Sequence, residues 1–343
     1  MTLAVRVASH VGEKAKNVLL TVDQYVYHGL VAPLAAFLPA QLAYGVALFR
    51  SDLRYQLQGS YRRQIKYSLE FLFGDRFSDK QRDQVVRDYF RSKSCETIDA
   101  MRMLGRGKSL LELVEVRGLE HLDAALASGK GAILCGAHFG SPKSCFSLIG
   151  ALGFPVTAVA RWSYGNEPTR KLKKLFYRLE HDYPASSHFS RPNIERWGER
   201  NILTAAQAAA VLRRNEFVAI MIDSEVKPGD TSKPMVFSFL GRKTILVPGA
   251  TTIAQVTGAP AIVVLLHRTS DWRHQILEVF PSIHVERDPL VAFRQCLSFV
   301  EEAIKRYPSQ WKFLPYNERK FLPINEEEYT PSAASRPAGS DVT

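Results

Sequence analysis

The stretch GAILCGAHFGSPKSC, residues 131–145, joins an uninterrupted apolar run to a histidine and then to a turn of glycine, serine and proline. A short apolar run bounded by turn residues is typical of a strand buried in a parallel sheet. The pattern after the proline indicates a helix, so the stretch predicts a strand, a tight turn that carries His138, and a helix. In open α/β sheets, ligands bind at the carboxyl ends of strands, which is where this pattern puts His138.

Apolar strand patterns alternate with helix patterns from about residue 111 onward. The predicted strands are 113–118, 131–137, 154–161, 217–223, 258–268 and 276–283. The predicted helices are 119–131, 142–153, 169–180, 204–216, 248–258 and 289–308. Strands that alternate with helices predict an α/β fold, with a largely parallel or mixed sheet covered by helices on both faces.

The region before the α/β part begins with a long uncharged segment. Residues 24–49 carry no formal charge and are numerous enough to cross a bilayer. His28, Gln41 and two prolines interrupt the segment, so a broken, buried helical hairpin is the alternative. We expect an N-terminal membrane-associated helical segment, either embedded in the membrane or lying at its interface.

The whole chain therefore divides into four parts. Residues after the uncharged segment are strongly basic and have helical periodicity, and their basic faces suit either anionic headgroups or solvent. The tail is rich in Ser, Ala, Pro and Gly and is expected to be disordered. The four parts are an N-terminal anchor segment (1–50), a basic helical region (51–110), the α/β domain (111–329) and the tail (330–343).

The formal net charge of +11 suits an anionic partner such as a nucleic acid, a membrane surface or a phosphate-bearing substrate. The sequence contains no nucleic-acid-binding motif and no GxxxxGKS/T phosphate loop, so no nucleic acid is expected as a partner. Its four cysteines show neither CxxC nor zinc-type spacing. We therefore expect a reducing compartment, no metal site and no tightly bound cofactor.

Several segments, in their order and spacing, resemble the late acyltransferases of lipid A biosynthesis, the lauroyl and myristoyl transferases of the lysophospholipid acyltransferase superfamily. The segments are RRQIKYSLEFLFGDRFSDKQRDQVVRDYFRS, EVRGLEHLDAALASGKGAILCGAHFGS, VTAVAR, AVLRRNEFVAIMIDSE, FSFLGRKTILVPGATTIAQVTGAPAIVVLL and YPSQWKFLPYNER. The resemblance extends to about Arg319. It implies a lysophospholipid-acyltransferase-like sheet covered by helices, at the cytoplasmic face of a bacterial inner membrane. It also implies transfer of an acyl group from an acyl-carrier-protein (ACP) or coenzyme A (CoA) thioester to a hydroxyl or amine.

The motif of this family is a histidine followed five residues later by Asp or Glu, which orients the imidazole and stabilises the imidazolium. His138 matches the histidine, but Lys143 stands at the carboxylate position. An ammonium there would disfavour the imidazolium and make His138 a weaker base. Asp223 and Glu225, where the family also has an acidic pair after a strand, are the candidate replacements. Cys145 is an alternative nucleophile for a thioester.

The remaining candidates are for substrate binding. Arg161 matches a family arginine after the second strand of the domain, and its planar guanidinium suits a phosphate or the thioester oxygen. Helix 169–180 has a cationic face, which suits an acidic carrier protein, CoA phosphates or a phosphoglycolipid, or faces solvent. Ser141 is a weak candidate to hold an imidazole nitrogen. The full set is Ser141, Lys143, Arg161, Arg170, Lys173, Lys174 and Arg242.

Three functions remain open from the sequence. The first is a membrane-associated acyltransferase that uses His138 as general base and modifies a (glyco)lipid-like acceptor. The second is a repurposed family member that acts on a specialised metabolite or a carrier-bound intermediate, which Lys143 favours. The third is a non-catalytic lipid-binding homologue.

Overall fold

In the computed structural model, the described residues are 18–159, 188–190, 200–224, 234–316 and 320–321. The helices are α1 (18–35, with a π turn at Tyr27–Val31), α2 (Ala40–Leu57), α3 (Gly59–Phe73), α4 (Asp79–Leu111), α5 (Glu120–Ala127), α6 (Pro142–Ala151), α7 (Arg200–Arg213), α8 (Gly249–Thr257) and α9 (Pro289–Arg306). The strands are β1 (Val114–Arg117), β2 (Ala132–Gly136), β3 (Val156–Val159), β4 (His188–Ser190), β5 (Phe217–Met221), β6 (Met235–Phe239), β7 (Arg242–Leu246), β8 (Ala261–Arg268) and β9 (Gln275–Val279).

A seven-stranded sheet in the order β1-β9-β8-β2-β5-β3-β4 forms the centre of the protein. Its strands from β8 to β4 are parallel to one another, and β9 is antiparallel to β8. This confirms the predicted α/β class with a mostly parallel sheet. The strands β6 and β7 pair as a separate antiparallel hairpin, which the sequence patterns did not predict.

The two strands at the middle of the sheet explain why their sequences are continuously apolar. Every residue of β2 and of β8 is buried, because helices cover both faces of the sheet. Side chains such as Ile133 pack on the face covered by α3, α4 and α7–α9. Leu134, the next residue, packs on the opposite face, against α5, α6 and the end of α4.

The N-terminal helices α1 and α2 form a hairpin that packs on α4. Small residues such as Ala43 and Ala47 are fully buried there and allow close approach of the helices. Asp23 of α1 pairs with Arg50 and Arg54 of α2 at 2.8 and 2.7 Å. The predicted boundary between the anchor segment and the basic helical region, at residue 50, lies inside α2. The predicted helix 169–180 and the predicted disordered tail 330–343 lie outside the described residues.

The outer side of this hairpin exposes a set of large apolar side chains, here called the apolar N-terminal face. Its members recur about every fourth residue in α1 and at helical spacing in α2. They are Val18, Val22, Val26, Leu30, Leu34, Leu42, Phe49 and Leu53. Among the described residues, no helix is long and apolar enough to cross a membrane.

Candidate active site

The pairing of β2 with β5 brings His138 and Asp223 to the same edge of the sheet. Gly136 lies opposite Met221, and each strand reaches its polar residue two positions later. The imidazole Nδ1 of His138 is 2.8 Å from Oδ1 of Asp223. Two residues 85 positions apart in the sequence therefore form one hydrogen-bonded pair.

Asp223 is completely buried, and its carboxylate accepts several hydrogen bonds. The backbone N–H of His138 donates to both carboxylate oxygens, at 2.9 and 3.0 Å, and the indole Nε1 of Trp311 donates to Oδ2 at 3.1 Å. The ammonium of Lys320 donates to the main-chain carbonyl of Asp223. Burial by itself raises the pKa of Asp223, but His138, Lys320 and the hydrogen bonds to the carboxylate outweigh it and lower the pKa to about 2.

The ionised carboxylate fixes the tautomer of the histidine. A carboxylate can only accept hydrogen bonds, so Nδ1 of His138 carries a proton, and in the neutral imidazole the lone pair is therefore on Nε2. The imidazole is 22% exposed, which leaves it accessible, and its ring centroid lies 4.8 Å from that of Phe313. This is the arrangement that a histidine general base requires.

The turn that carries His138 is held by main-chain hydrogen bonds. The carbonyl of His138 accepts from the N–H of Lys312 at 2.8 Å, and the N–H of Gly140 donates to the carbonyl of Gln310 at 2.9 Å. Gly140 has a φ of +60°, and a Cβ at this position would overlap the carbonyl oxygen of Leu266. The turn therefore requires glycine at position 140.

Three other candidates have contacts that bear on their predicted roles. The hydroxyl of Ser141 donates to Asp99 and not to the imidazole of His138. The guanidinium of Arg242 donates to the carbonyl of Phe71 and lies 3.6 Å above its ring, which ties the β6–β7 hairpin to α3. Burial raises the pKa of the Cys145 thiol to about 12, which disfavours a thiolate nucleophile.

The side chains of the remaining candidate site residues are not among those that the structure describes. Lys143 lies in the first turn of α6, but its side chain is outside what the structure describes. The residues that lie outside the described ranges altogether are Arg161, Arg170, Lys173, Lys174 and Glu225. Their predicted roles stay predictions. Within the described part of the chain, no group of three or more His, Cys, Asp or Glu side chains is placed to hold a metal.

Sequence reasoning did not assign a role to the residues that surround the His138–Asp223 pair. Trp311 and Phe313 lie in the segment YPSQWKFLPYNER, which carried part of the family resemblance, so a signal for them was present. Lys320 follows that segment and is 5% exposed, against the main chain of Asp223. A single lysine belongs to no sequence motif or periodicity, so the sequence does not predict its contact with Asp223.

The structure is thus an α/β protein with a mostly parallel sheet that carries, at its carboxyl edge, an accessible histidine backed by a buried carboxylate. The sequence model of the family described as bacterial lipid A biosynthesis acyltransferase matches residues 13–317. Because this match covers most of the chain, the protein belongs to that family, as the resemblance predicted. No curated protein matched the chain.

Proposed function

We propose that the protein transfers an acyl group from an ACP or CoA thioester to a hydroxyl or amine of a glycolipid-like acceptor. The observation that carries the proposal is the His138–Asp223 pair, with Nδ1 held at 2.8 Å by a buried carboxylate. Family membership supports the reaction class, because the family consists of acyltransferases. His138 acts as the general base.

The reaction has two bond changes at the thioester carbonyl. Nε2 of His138 takes the proton of the acceptor as its oxygen or nitrogen bonds to the carbonyl carbon. The C–S bond then breaks, and the imidazolium returns the proton to the leaving thiolate. Asp223 stabilises the imidazolium between these steps, so a carboxylate five residues after His138 is not needed.

We propose that the protein works at a lipid surface, the cytoplasmic face of a bacterial inner membrane. The apolar N-terminal face supports this, since Leu30, Leu34 and Leu42 are each more than half exposed. Large apolar side chains exposed together on one side of a protein are typical of a protein–protein or membrane interaction site. The net charge of +11 favours an anionic surface.

Acyl transfer to a lipid acceptor tests the proposal. The purified protein is incubated with acyl-ACP or acyl-CoA of several chain lengths and an acylated, bis-phosphorylated glucosamine disaccharide in detergent, and products are identified by intact mass. We expect a mass increase of one acyl chain, which His138→Ala lowers by about 10³-fold or more. His284→Ala, a change at an exposed histidine, serves as the control. Undiminished transfer by His138→Ala would show that His138 is not the base.

Lys143 favours a second candidate acceptor class. A departure from the family motif is consistent with a changed acceptor, such as a soluble hydroxy or amino metabolite or an intermediate bound to a carrier protein. The same assay with such acceptors in place of the glycolipid separates the two. Transfer to the soluble acceptors alone supports the second candidate, and transfer to the glycolipid alone excludes it.

A further inference from the structure

A buried ion pair lies beside the turn that carries His138. Asp99 of α4 pairs with Arg268 at the end of β8, and their side chains are 0% and 2% exposed. The hydroxyl of Ser141, the residue before α6, donates to the same carboxylate of Asp99. The guanidinium of Arg268 also lies 3.4 Å from Oγ of Ser141.

The main chain of Arg268 is tied to the same turn. Its N–H donates to Oε1 of Gln310, and the amide of Gln310 donates back to its carbonyl, both at 2.8 Å. The carbonyl of Gln310 in turn accepts from the N–H of Gly140. The second half of the His138 turn is thus held at Gly140 and at Ser141 by groups connected to Arg268.

The third donor to Asp99 comes from the N-terminal helices. The hydroxyl of Tyr44 in α2 donates to Oδ1 of Asp99 at 2.6 Å, and the side chain of Tyr44 is fully buried. Leu42 and Phe49 of the same helix belong to the apolar N-terminal face. The chain of contacts Tyr44–Asp99–Ser141 therefore joins the helix that carries this face to the turn.

Stability alone does not explain such a cluster. Taking an arginine and an aspartate out of water costs several kcal/mol each, which roughly cancels the attraction between them. Well-packed apolar side chains of similar volume often stabilise a protein as much as such a pair does. The other reason for a buried ion pair is that it fixes one arrangement of its neighbours. Here the neighbour that is fixed is Ser141, three residues after His138.

We propose that Asp99 and Arg268 are positioning residues, which hold the His138 turn in its reactive geometry through Ser141, and that Tyr44 makes the N-terminal helices part of this support. The kinetic part of the proposal rests on the proposed function, but the structural part does not. Displacement of a catalytic group by about 1 Å lowers rates by up to about 10²-fold. Loss of the support is therefore measurable in kcat.

The chain offers a matched pair of tyrosines for the test. Tyr27, like Tyr44, is buried between the N-terminal helices and α4. Its hydroxyl donates to the carbonyl of Ser94 at 3.0 Å, and not to Asp99. Tyr44→Phe and Tyr27→Phe each remove one hydroxyl and one hydrogen bond to α4.

We expect both variants to stay folded and to lose unfolding free energy in urea denaturation, Tyr44→Phe more than Tyr27→Phe because its hydroxyl donates to a charged carboxylate. Tyr44→Phe should lower kcat about fivefold to tenfold with KM unchanged, and Tyr27→Phe should keep kcat within about twofold of wild type. Ser141→Ala should resemble Tyr44→Phe. In the double variant Tyr44→Phe/Ser141→Ala, kcat should fall by less than the product of the two single effects, because both changes act through Asp99. Equal kcat values in Tyr44→Phe and Tyr27→Phe would overturn the proposal.

A second measurement needs no substrate. The Nδ1 proton of His138, held by Asp223, is observed by ¹H NMR and assigned by its absence in His138→Gln. We expect this resonance to shift or broaden in Tyr44→Phe and Ser141→Ala and to stay unchanged in Tyr27→Phe. An unchanged resonance in all three variants would overturn the proposal. If the resonance responds while the wild type transfers no acyl group, the proposed function fails and the positioning role stands.

Discussion

Asp223 reaches the imidazole from the end of β5, whereas the motif position five residues after the histidine, occupied here by Lys143, lies in α6. The buried carboxylate accepts from the backbone N–H of His138 as well as from Nδ1, so it orients the ring and the turn together. Trp311 donates to the second oxygen. A Lys at position 143 therefore does not leave His138 without a carboxylate partner.

Asp223→Asn tests this role at the level of one atom. The amide keeps the shape of the carboxylate but can donate to Nδ1, which favours the wrong tautomer of His138. We expect kcat to fall by about 10³-fold to 10⁴-fold, the scale seen when a triad aspartate is replaced by asparagine. The control is Asp271→Asn, because Asp271 also accepts from a histidine, His274, in an exposed loop. Near-wild-type activity of Asp223→Asn would contradict the role.

The depressed pKa of Asp223 also predicts a pH dependence of stability. The pKa falls from an ordinary 3.8 to about 2 in the folded protein. The contribution of Asp223 to stability is therefore complete above about pH 4 and is lost as the pH falls through 2. We expect about 2 kcal/mol of this contribution to disappear between pH 5 and pH 2.

Urea unfolding of the wild type and of Asp223→Asn across this pH range measures that change. The difference in unfolding free energy between the two proteins should shrink as the pH falls, because only the wild type has a carboxylate to protonate at this site. A difference that stays constant from pH 5 to pH 2 would show that the carboxylate is not held in its ionised form by the fold.

At the scale of elements, the β2–α6 connection depends on its glycine. Gly140 has a positive φ, and a Cβ there would overlap the carbonyl of Leu266 in β8. We expect Gly140→Ala to cost at least about 2 kcal/mol of unfolding free energy and to abolish transfer, since the turn has to move. Thermal or urea unfolding and the acyl-transfer assay measure the two effects.

Gly129 provides the control for this prediction. It also has a positive φ, of +75°, but a Cβ there would meet nothing within 4 Å. Gly129→Ala should therefore cost only the left-handed backbone strain, about 1 kcal/mol, and leave kcat unchanged. Equal losses in the two variants would mean that contact with β8 does not constrain the turn.

The elements themselves were largely predictable, and their pairing was not. Apolar runs such as AILCG mark buried strands because each residue is covered on one face or the other. Which strand lies beside β2 depends on contacts across 85 positions, which local pattern does not encode. Asp223 was a candidate because it follows a strand, but its distance from His138 follows only from the β2–β5 register.

The parts of the site that escaped prediction share a physical reason. Asp99 and Arg268 are single charged residues, one in a helix and one at the end of an apolar strand. Charged residues at such positions usually face solvent, so nothing in the sequence distinguishes a pair that is buried together. The same holds for Lys320, whose partner is a backbone carbonyl.

At the scale of the whole molecule, the N-terminal hairpin has two sides with different roles. Its inner side packs on α4 and contributes Tyr44 to the support of the His138 turn. Its outer side is the apolar N-terminal face, and Asp23 is neutralised by Arg50 and Arg54 rather than adding negative charge to the surface. A lipid surface that docks on this face would thus bind next to the elements that hold the active site.

Vesicle binding tests the apolar N-terminal face. We expect the protein to sediment with anionic phospholipid vesicles and Leu30→Glu/Leu34→Glu to bind at least about tenfold more weakly, since burying one leucine contributes roughly 2 kcal/mol. Val256→Glu/Val291→Glu, at exposed valines of α8 and α9, controls for added negative charge. Added salt should weaken binding without abolishing it, because the apolar contribution is not screened. If the leucine variant binds as tightly as the control variant, this face does not contact the membrane.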